Sequence, residues 1–299
     1  MNHLYIPETD RTLYLPSDLS ECDFRQYIEM AALILRYQCA EIDYHALRVQ
    51  AVYKLLNMKR GKGTIDDDNK FANIYQLSQL IDSFFETNDD GQKVIKQYYI
   101  NNPLPYFADG LSKFYGPSDE FNNIKFGEYV DGLSHFMDFN ATGDVKYLRL
   151  LLAVFYRRPM NAIIVKTLKQ LDKFNGDVRC AYNPASVGKR AENFKNVHIG
   201  IVYGFYLLFA SFQKYITTAV LFIENKEIDL SVLFNESEGG KHKESNLPGV
   251  GMKGLMYSFA ESGIYGDMDK VQQLPLWEAL VHMYHLHKKA KDYEANQPK

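Results

Sequence analysis

The sequence predicts a mostly α-helical protein, with several helices packed orthogonally or as a bundle, long irregular loops and at most minor β-structure. Three observations support this fold class. Apolar residues recur at the three- and four-residue spacing of amphipathic helices along most of the 299-residue chain. Glycine, asparagine and charged residues are concentrated in residues 172–197 and 235–251, a composition typical of loops. Only two short stretches, 13–15 and 94–100, favour a strand.

The strongest helical pattern lies in residues 20–58 and predicts two adjacent helices. Ser20 and Asp23 provide hydrogen-bond acceptors just before the first helix, and Asp43 can cap the second. The side chains predicted to form the buried stripes are Phe24, Tyr27, Ile28, Ala31 and Leu35 on the first helix, and Ala46, Val49, Tyr53 and Leu56 on the second. Helices of this length are not stable alone in water, so the pair needs the rest of the chain or a partner.

The same helical spacing of apolar residues divides the whole chain into three consecutive regions. Residues 1–62 hold the helix pair and an extended arm, and 63–175 form a central helical region. Residues 190–299 form a C-terminal helical region with a loop at 235–250. Further helices are predicted at 71–86, 126–139, 144–158, 162–171, 191–222, 252–262 and 274–293. We expect 172–196 and 235–250 to be the least regular segments, because they lack periodic apolar residues.

The composition argues against several classes of protein. Hydrophobic residues make up 46% and charged residues 24% of the chain, which is ordinary for a folded protein and not typical of a disordered one. The net charge of −3 gives no electrostatic footprint for nucleic acid, which is therefore not an expected partner. Cys22, Cys39 and Cys180 are widely spaced, which favours free thiols in a reducing compartment. The first residues do not resemble a secretory signal, so we expect an intracellular location.

The longest apolar run, residues 197–223, predicts a buried core helix rather than a membrane span. Polar groups such as Gln213 and Lys214 recur in its second half, whereas a spanning helix is more uniformly apolar. A membrane is therefore not an expected partner. The side chains of this helix that we expect to be buried in the core are Ile201, Phe205, Leu208 and Phe212.

No catalytic signature is present in the sequence, and we predict neither a cofactor nor catalytic residues. The nearest pattern to a metal site is His282, His285 and His287, preceded by Glu278. Glu278, His282 and His285 share one helical face, but a metal site needs ligands from a second element as well. The sequence leaves open whether this cluster binds a metal, so a helical metal-dependent enzyme is one alternative function.

A second alternative is a regulator that binds DNA through a helix-turn-helix. The turn at residues 39–43 has the right length for this motif. The second helix would then present Tyr44, His45, Arg48 and Gln50 to the DNA. The net negative charge of the chain argues against this alternative without excluding it.

Three segments of the chain carry a resemblance to a known group of proteins. They are LSECDFRQYIEMAALI, FNNIKFGEYVDGLSHFMDFNATGDVKYLRLLLAVFYRRP and ESGIYGDMDKVQQLPLWEALVHMYHL. In these segments the chain resembles an uncharacterised family of virion or tail-assembly proteins encoded by tailed phages and prophages of Bacteroidetes-type hosts. The resemblance implies a non-enzymatic structural role, in the host cytoplasm during assembly or in the virion. The partners that it implies are other virion or assembly proteins, or further copies of the chain.

A role of this kind predicts binding through aromatic side chains on apolar helix faces, because such residues dominate the energetics of protein interfaces. The candidate partner-binding residues are Phe24, Tyr27, Trp277 and Tyr284. All four lie on predicted amphipathic helices near the two ends of the chain. Trp277 follows Pro275, which suits the first turn of a helix, and we expect its ring to be partly exposed in the isolated chain.

Overall fold

A computed structural model of the chain describes residues 1–6, 10–58, 67–218, 220–223, 226–233 and 252–296. Eleven α-helices and four two-stranded antiparallel hairpins lie in this part of the chain. The prediction of a mostly α-helical fold is therefore confirmed. The predicted loop at 235–250 lies outside the described residues.

The elements follow one another in a simple order. The helices are α1 (Phe24–Gln38), α2 (Tyr44–Leu55), α3 (Asp67–Gln79), α4 (Phe126–Thr142), α5 (Val145–Phe155), α6 (Ala162–Gln170), α7 (Val187–Asn193), α8 (Ile199–Thr218), α9 (Met252–Ser262), α10 (Met268–Gln272) and α11 (Leu276–Ala295). The hairpins pair β1 (Asn2–Ile6) with β2 (Arg11–Leu15), β3 (Phe85–Thr87) with β4 (Lys93–Ile95), β5 (Tyr106–Asp109) with β6 (Ser112–Tyr115), and β7 (Val220–Ile223) with β8 (Lys226–Asp229). Each strand pairs with the next one along the chain, so the β-structure is local.

The chain forms two compact units, and both are built from two stretches of sequence. The first unit comprises Met1–Leu104 and Asn196–Ser211, and the second comprises Pro105–Lys195 and Phe212–Lys299. These units do not coincide with the three consecutive regions expected from the sequence. The first part of α8 packs with the N-terminal helices, a contact between residues far apart in the chain that local patterns do not reveal.

Helices α1 and α2 begin at the residues that the sequence indicates. Asp23 caps α1 and forms a capping box, in which its carboxylate accepts from the Gln26 amide while the Gln26 side chain accepts from the Asp23 amide. Asp43 caps α2 by accepting from the Ala46 amide. Ser20 plays no part in capping α1, since it belongs to a preceding 3₁₀ helix that Asp18 caps.

The buried faces of these two helices agree only in part with the sequence pattern. On α1 the predicted Tyr27 and Ala31 are buried, together with Met30, Leu33 and Ile34, whereas Phe24 is exposed. On α2 the predicted stripe lies on a different face from the buried one. The buried residues are Leu47, Ala51, Val52 and Leu55, and the predicted Ala46, Val49, Tyr53 and Leu56 are only half-buried. The pattern failed on α2 because this helix has two apolar faces, and periodicity does not indicate which of them faces the core.

Two glycines of α8 allow it to pack closely against α1 in the first unit. A Cβ atom added at Gly200 would lie 2.1 Å from the Ile28 carbonyl oxygen, and one added at Gly204 would lie 2.9 Å from the Tyr27 ring. Contacts that short do not occur in close-packed interiors, so larger residues at these positions would separate the helices. The Tyr27 hydroxyl donates to the Gly204 carbonyl at 2.8 Å across this contact.

The predicted core helix is confirmed in its burial and corrected in its length. Ile201, Phe205, Leu208 and Phe212 are all buried. The helix runs from Ile199 to Thr218, whereas the sequence predicted a helix over 191–222. Strand β7 begins at Val220. By length and composition α8 is the one helix in the described part of the chain able to span a membrane, and 67% of its most apolar window is buried. Core helices of soluble proteins share these properties.

In the second unit, much of the segment that we expected to be irregular is packed. Helix α7 lies within residues 172–196. The buried residues of this whole segment are Asp177, Arg179, Tyr182, Val187, Ala191 and Phe194. The composition was misleading because two of these core residues are charged, and their burial depends on ion pairs. Glu128 of α4 lies between the two guanidinium groups of Arg157 and Arg179, at 2.8 and 3.4 Å.

Candidate interaction surface

Helix α6 differs from its neighbours because none of its side chains is buried. Asn161 caps its N-terminus by accepting from the Ile163 amide at 2.9 Å, and Leu171 is its C-cap. Three large apolar side chains on this short segment face solvent: Ile163 is 74% exposed, Leu171 58% and Ile164 52%. An exposed cluster of this kind is characteristic of an interaction site.

The residues of α6 are divided between two faces. Ile164, Leu168 and Leu171 recur at the i, i+4, i+7 spacing and therefore share one face. Lys166 and Lys169 lie on the opposite face. The sequence predicted this helix at 162–171 but did not indicate a function for it. Amphipathic spacing was the available signal, and it does not reveal whether another element covers the apolar face.

The surroundings of α6 are basic. Among the described residues, Arg158, Lys166, Lys169 and Lys173 form no ion pair with a carboxylate. The Lys169 ammonium lies 5.2 Å from the centre of the Phe174 ring, within cation–π range. The helix therefore combines exposed apolar side chains with positive charge, although the whole chain has a net charge of −3.

The segment leading into α6 is tied to two neighbouring parts of the second unit. The Arg158 guanidinium donates to the Ser112 hydroxyl of β6 at 3.1 Å, and the Met160 amide donates to the Val178 carbonyl at 2.8 Å. The hairpin that contains β6 carries Leu111 at its tip, fully exposed, after Gly110 with a φ of +56°. Positive φ suits glycine, and the tight turn leaves Leu111 projecting.

Of the four aromatic residues predicted to bind a partner, Tyr27 lies in the core. Its side chain is fully buried, and its hydroxyl lies 2.7 Å from that of Tyr99. Tyr99 is joined in turn to Ser211, whose hydroxyl accepts from the Tyr99 amide at 2.9 Å. A partner cannot reach Tyr27 in this fold, so its role is structural. Phe24 is 41% exposed in the first turn of α1 and stays a candidate.

The two C-terminal candidates are half-buried in the second unit. The Trp277 indole N–H donates to the Glu120 carbonyl at 3.2 Å, and its ring makes edge-to-face contacts with Phe212 and Tyr215. Tyr284 lies on the same helix, α11, and is also half-buried. Both side chains keep some exposed surface, and whether they contact a partner stays a prediction.

Of the histidines of α11, His282 lies between two aromatic rings. The His282 ring makes edge-to-face contacts with Phe259 at 4.9 Å and with Tyr265 at 5.2 Å between ring centres. Burial, and next the neighbouring His285, lower the pKa of His282 below its usual value. No group of three or more histidine, cysteine, aspartate or glutamate side chains could hold a metal ion in the part of the chain that the structure describes.

The cationic groups of the candidate DNA-reading helix, α2, are already paired. The Arg48 guanidinium lies 3.1 Å from the Asp82 carboxylate, and the Lys54 ammonium lies 2.9 Å from that of Glu29. The Tyr44 hydroxyl also donates to Asp82, at 2.7 Å. Binding to phosphates would require these side chains to exchange their partners, so the geometry gives this alternative little support.

The buried charges around Glu128 form a network in the second unit. Arg157 donates to Glu128 at 3.0 Å and to the Cys180 carbonyl at 2.8 Å, and Arg179 donates to Asp177 at 2.9 Å. Burial, followed by a hydrogen bond to Asp131, raises the pKa of Tyr182, which therefore remains a donor. The buried charges are paired with one another, so we assign the network to stability rather than to chemistry.

The first unit contains a groove of about 620 Å³ along α2. Its apolar lining comprises Ala46, Val49, Tyr53, Met58, Phe71 and Ile74. Charged groups of Arg25, Glu29 and Lys54 lie at the same groove. Three of the four apolar side chains of α2 that we had expected in the core, Ala46, Val49 and Tyr53, are therefore found here.

No protein-family model matches the chain, and neither a curated protein nor a solved structure is detectably similar to it.

Proposed function

We propose that this protein acts by binding another protein, in a structural or assembly role and without catalysis. The observation that carries the proposal is that α6 has no buried side chain while Ile163 and Ile164 are 74% and 52% exposed. Complete burial of one such side chain contributes about 1.5–3 kcal/mol to the stability of a complex. A helix whose large apolar side chains stay uncovered is suited to binding. The exposure of these side chains has no evident benefit for the isolated chain.

The binding mode that suits α6 is a helix inserted into a groove of the partner. Ile164, Leu168 and Leu171 provide anchors at the spacing that this mode uses. Lys166 and Lys169 lie on the face of α6 opposite these anchors. Acidic groups at the rim of a deep partner groove would attract them and raise the rate of association. Phe24, Trp277 and Tyr284 are further candidate contacts outside α6.

The sequence resemblance to tailed-phage assembly proteins supports a place among virion or tail-assembly proteins. The partners would then be other virion or assembly proteins, or further copies of this chain. The protein would work in the host cytoplasm during assembly or in the virion itself. This assignment depends on the three resembling segments and is narrower than the binding role that α6 supports.

The two alternatives have less geometric support, and each has a direct test. A metal-dependent enzyme would contain a stoichiometric metal on elemental analysis, and substitution of His282 or His285 would remove it. A DNA-binding regulator would bind duplex DNA with an affinity that falls steeply as salt rises.

Co-purification with the proteins encoded beside this gene tests the proposal. We expect at least one of them to co-purify with the wild-type protein and to be lost with Ile164→Asp, because a buried carboxylate without a partner opposes association. Met137→Asp is the matched control, since Met137 is 61% exposed on α4 of the same unit. The proposal would be overturned if the Ile164→Asp variant captured the same partner as the wild type does. It would also be overturned if the wild-type protein captured no partner and stayed monomeric.

A further inference from the structure

Helix α2 has a second apolar face in addition to the one in the core. Leu47, Ala51, Val52 and Leu55 pack inside the first unit. Ala46, Val49 and Tyr53 point away from them and line the groove described above. Two further lining residues, Phe71 and Met58, are 64% and 40% exposed. An apolar concavity is costly to leave in water, so this face is suited to a ligand.

The size of the groove matches a small molecule. Its volume of about 620 Å³ lies within the range of roughly 300–1,000 Å³ that is usual for ligand sites. Sites of this class combine a mainly apolar lining with a few fixed polar groups that orient the ligand. Six of the twelve described lining residues are apolar, and the polar half includes the charged Arg25, Glu29 and Lys54.

Arg25 is the polar group of the groove that is held in place by hydrogen bonds and whose positive charge is not balanced by a described carboxylate. Its guanidinium donates to the Lys54 carbonyl at 2.6 Å and to the Leu55 carbonyl at 3.1 Å, which holds it at the C-terminal end of α2. No carboxylate pairs with Arg25 in the part of the chain that is described. Glu29, the acidic group of the groove, is occupied by Lys54 at 2.9 Å.

The remaining N–H groups of Arg25 define the chemistry of the ligand. A guanidinium has five N–H donors, and the two carbonyls of α2 use only part of them. A planar guanidinium binds a carboxylate through two parallel hydrogen bonds, and such charge-assisted bonds are stronger than neutral ones. The groove therefore offers an apolar channel with an anion-binding group beside it.

We propose that the groove between α1, α2 and α3 binds an amphiphilic anion of the fatty-acid class, with its chain against Val49 and Tyr53 and its carboxylate on Arg25. This inference is independent of the proposed function, because α6 and the groove share no residue. Failure of either proposal leaves the other standing.

The test is a fluorescence titration of the full-length protein with a dansyl-labelled undecanoic acid, followed by displacement with dodecanoate, dodecanol and dodecyltrimethylammonium. We expect saturable binding of one probe per chain and displacement by dodecanoate at the lowest concentration. Dodecanol should displace the probe about tenfold less well, which corresponds to the loss of a charge-assisted hydrogen bond. The cation should be the weakest competitor.

Three variants locate the site. Arg25→Gln should weaken dodecanoate about tenfold and leave dodecanol unchanged, because only the charge-assisted hydrogen bonds are lost. Val49→Asp should abolish the binding of both. Arg158→Gln, which removes an exposed arginine of the second unit, is the control and should bind dodecanoate as the wild type does. Thermal unfolding of each variant, followed by circular dichroism, establishes that the fold is retained.

Several results would overturn the proposal. They are the absence of saturable dodecanoate binding, equal affinity for dodecanoate and dodecanol, and an Arg158→Gln defect as large as that of Arg25→Gln. If Arg25→Gln does not fold, unchanged dodecanoate binding by Val49→Asp is sufficient to overturn it. Self-association that Val49→Asp removes, without any binding of dodecanoate, would assign the groove to a second copy of the chain instead.

Discussion

The Tyr27 hydroxyl donates to the Gly204 carbonyl at 2.8 Å and lies 2.7 Å from the hydroxyl of Tyr99, so one phenol joins α1 to α8 and to the segment after β4. The residue that the sequence suggested as a surface contact is thus a central core residue of the first unit. Both of these polar partners are buried, which makes the loss of this hydroxyl costly.

Removal of this hydroxyl should destabilise the protein. We expect Tyr27→Phe to lower the free energy of unfolding by about 1–3 kcal/mol, because Tyr99 then loses a buried partner. Urea denaturation measures this change. Tyr14→Phe is the control, since Tyr14 is 53% exposed on β2 and its change should be within about 0.5 kcal/mol. Equal effects of the two substitutions would contradict a structural role for the Tyr27 hydroxyl.

The space around two helical glycines predicts opposite effects for their substitution. Gly200→Ala should destabilise the protein by about 1–3 kcal/mol, because the new methyl group overlaps the Ile28 carbonyl. Gly188→Ala on α7 should stabilise it by about 0.5–1 kcal/mol, since nothing lies within 4 Å of the added atom and alanine favours the helix. Chemical denaturation of both variants tests the pair, and a neutral Gly200→Ala would refute the packing described for α1.

Glu128 should be one of the least replaceable polar residues of the second unit. We expect Glu128→Gln to cost about 3–5 kcal/mol, because two buried guanidinium groups, those of Arg157 and Arg179, would then lose one of the two carboxylates they share and keep Asp177. Glu192→Gln, which breaks an exposed pair with Lys195, should cost about 0–1 kcal/mol. Thermal and urea unfolding would show the difference, and similar values for the two variants would mean that the buried network contributes little.

Stability should fall as the pH is lowered below the ordinary pKa of histidine. Burial lowers the pKa of His135, and this outweighs the opposite effect of Asp131 and Asp138. The unfolded chain therefore binds a proton on His135 more readily than the folded chain, and protonation below about pH 6.5 favours unfolding. His282 adds a shift of the same sign.

The contribution of His135 can be isolated with His135→Asn. Denaturation at a series of pH values between the ordinary pKa of histidine and the acid range should give a shallower pH dependence for this variant than for the wild type. An identical slope in the two proteins would show that His135 titrates alike in the folded and unfolded states.

The local features of the fold could be predicted from the sequence, and the partners of each helix could not. Asp23 and Asp43 cap their helices as predicted because a cap depends on a few neighbouring residues. The burial of Phe205 and Leu208 follows from a helix that is apolar on every side. The groove face of α2 was misassigned because Val49 and Leu47 are equally apolar, and only tertiary contacts distinguish them.

The candidate surface was missed for a related reason. Spacing shows that Ile164, Leu168 and Leu171 share a face, and the same pattern occurs in helices that the core covers completely. The packed part of 172–196 was missed because Arg179 and Tyr182 are polar. Their burial depends on Glu128 and Asp131, far away in the sequence, whose proximity no local pattern reveals.

Hydrogen–deuterium exchange of α6, with and without a co-purifying partner, tests the central claim most directly. In the free protein we expect the amides of residues 163–170 to exchange rapidly, because no side chain of this helix is anchored in the core. On binding, these amides should become strongly protected, while those around the exposed Met137 keep their rates. Protection elsewhere with unchanged rapid exchange in α6 would contradict the account and exclude this helix as the binding element.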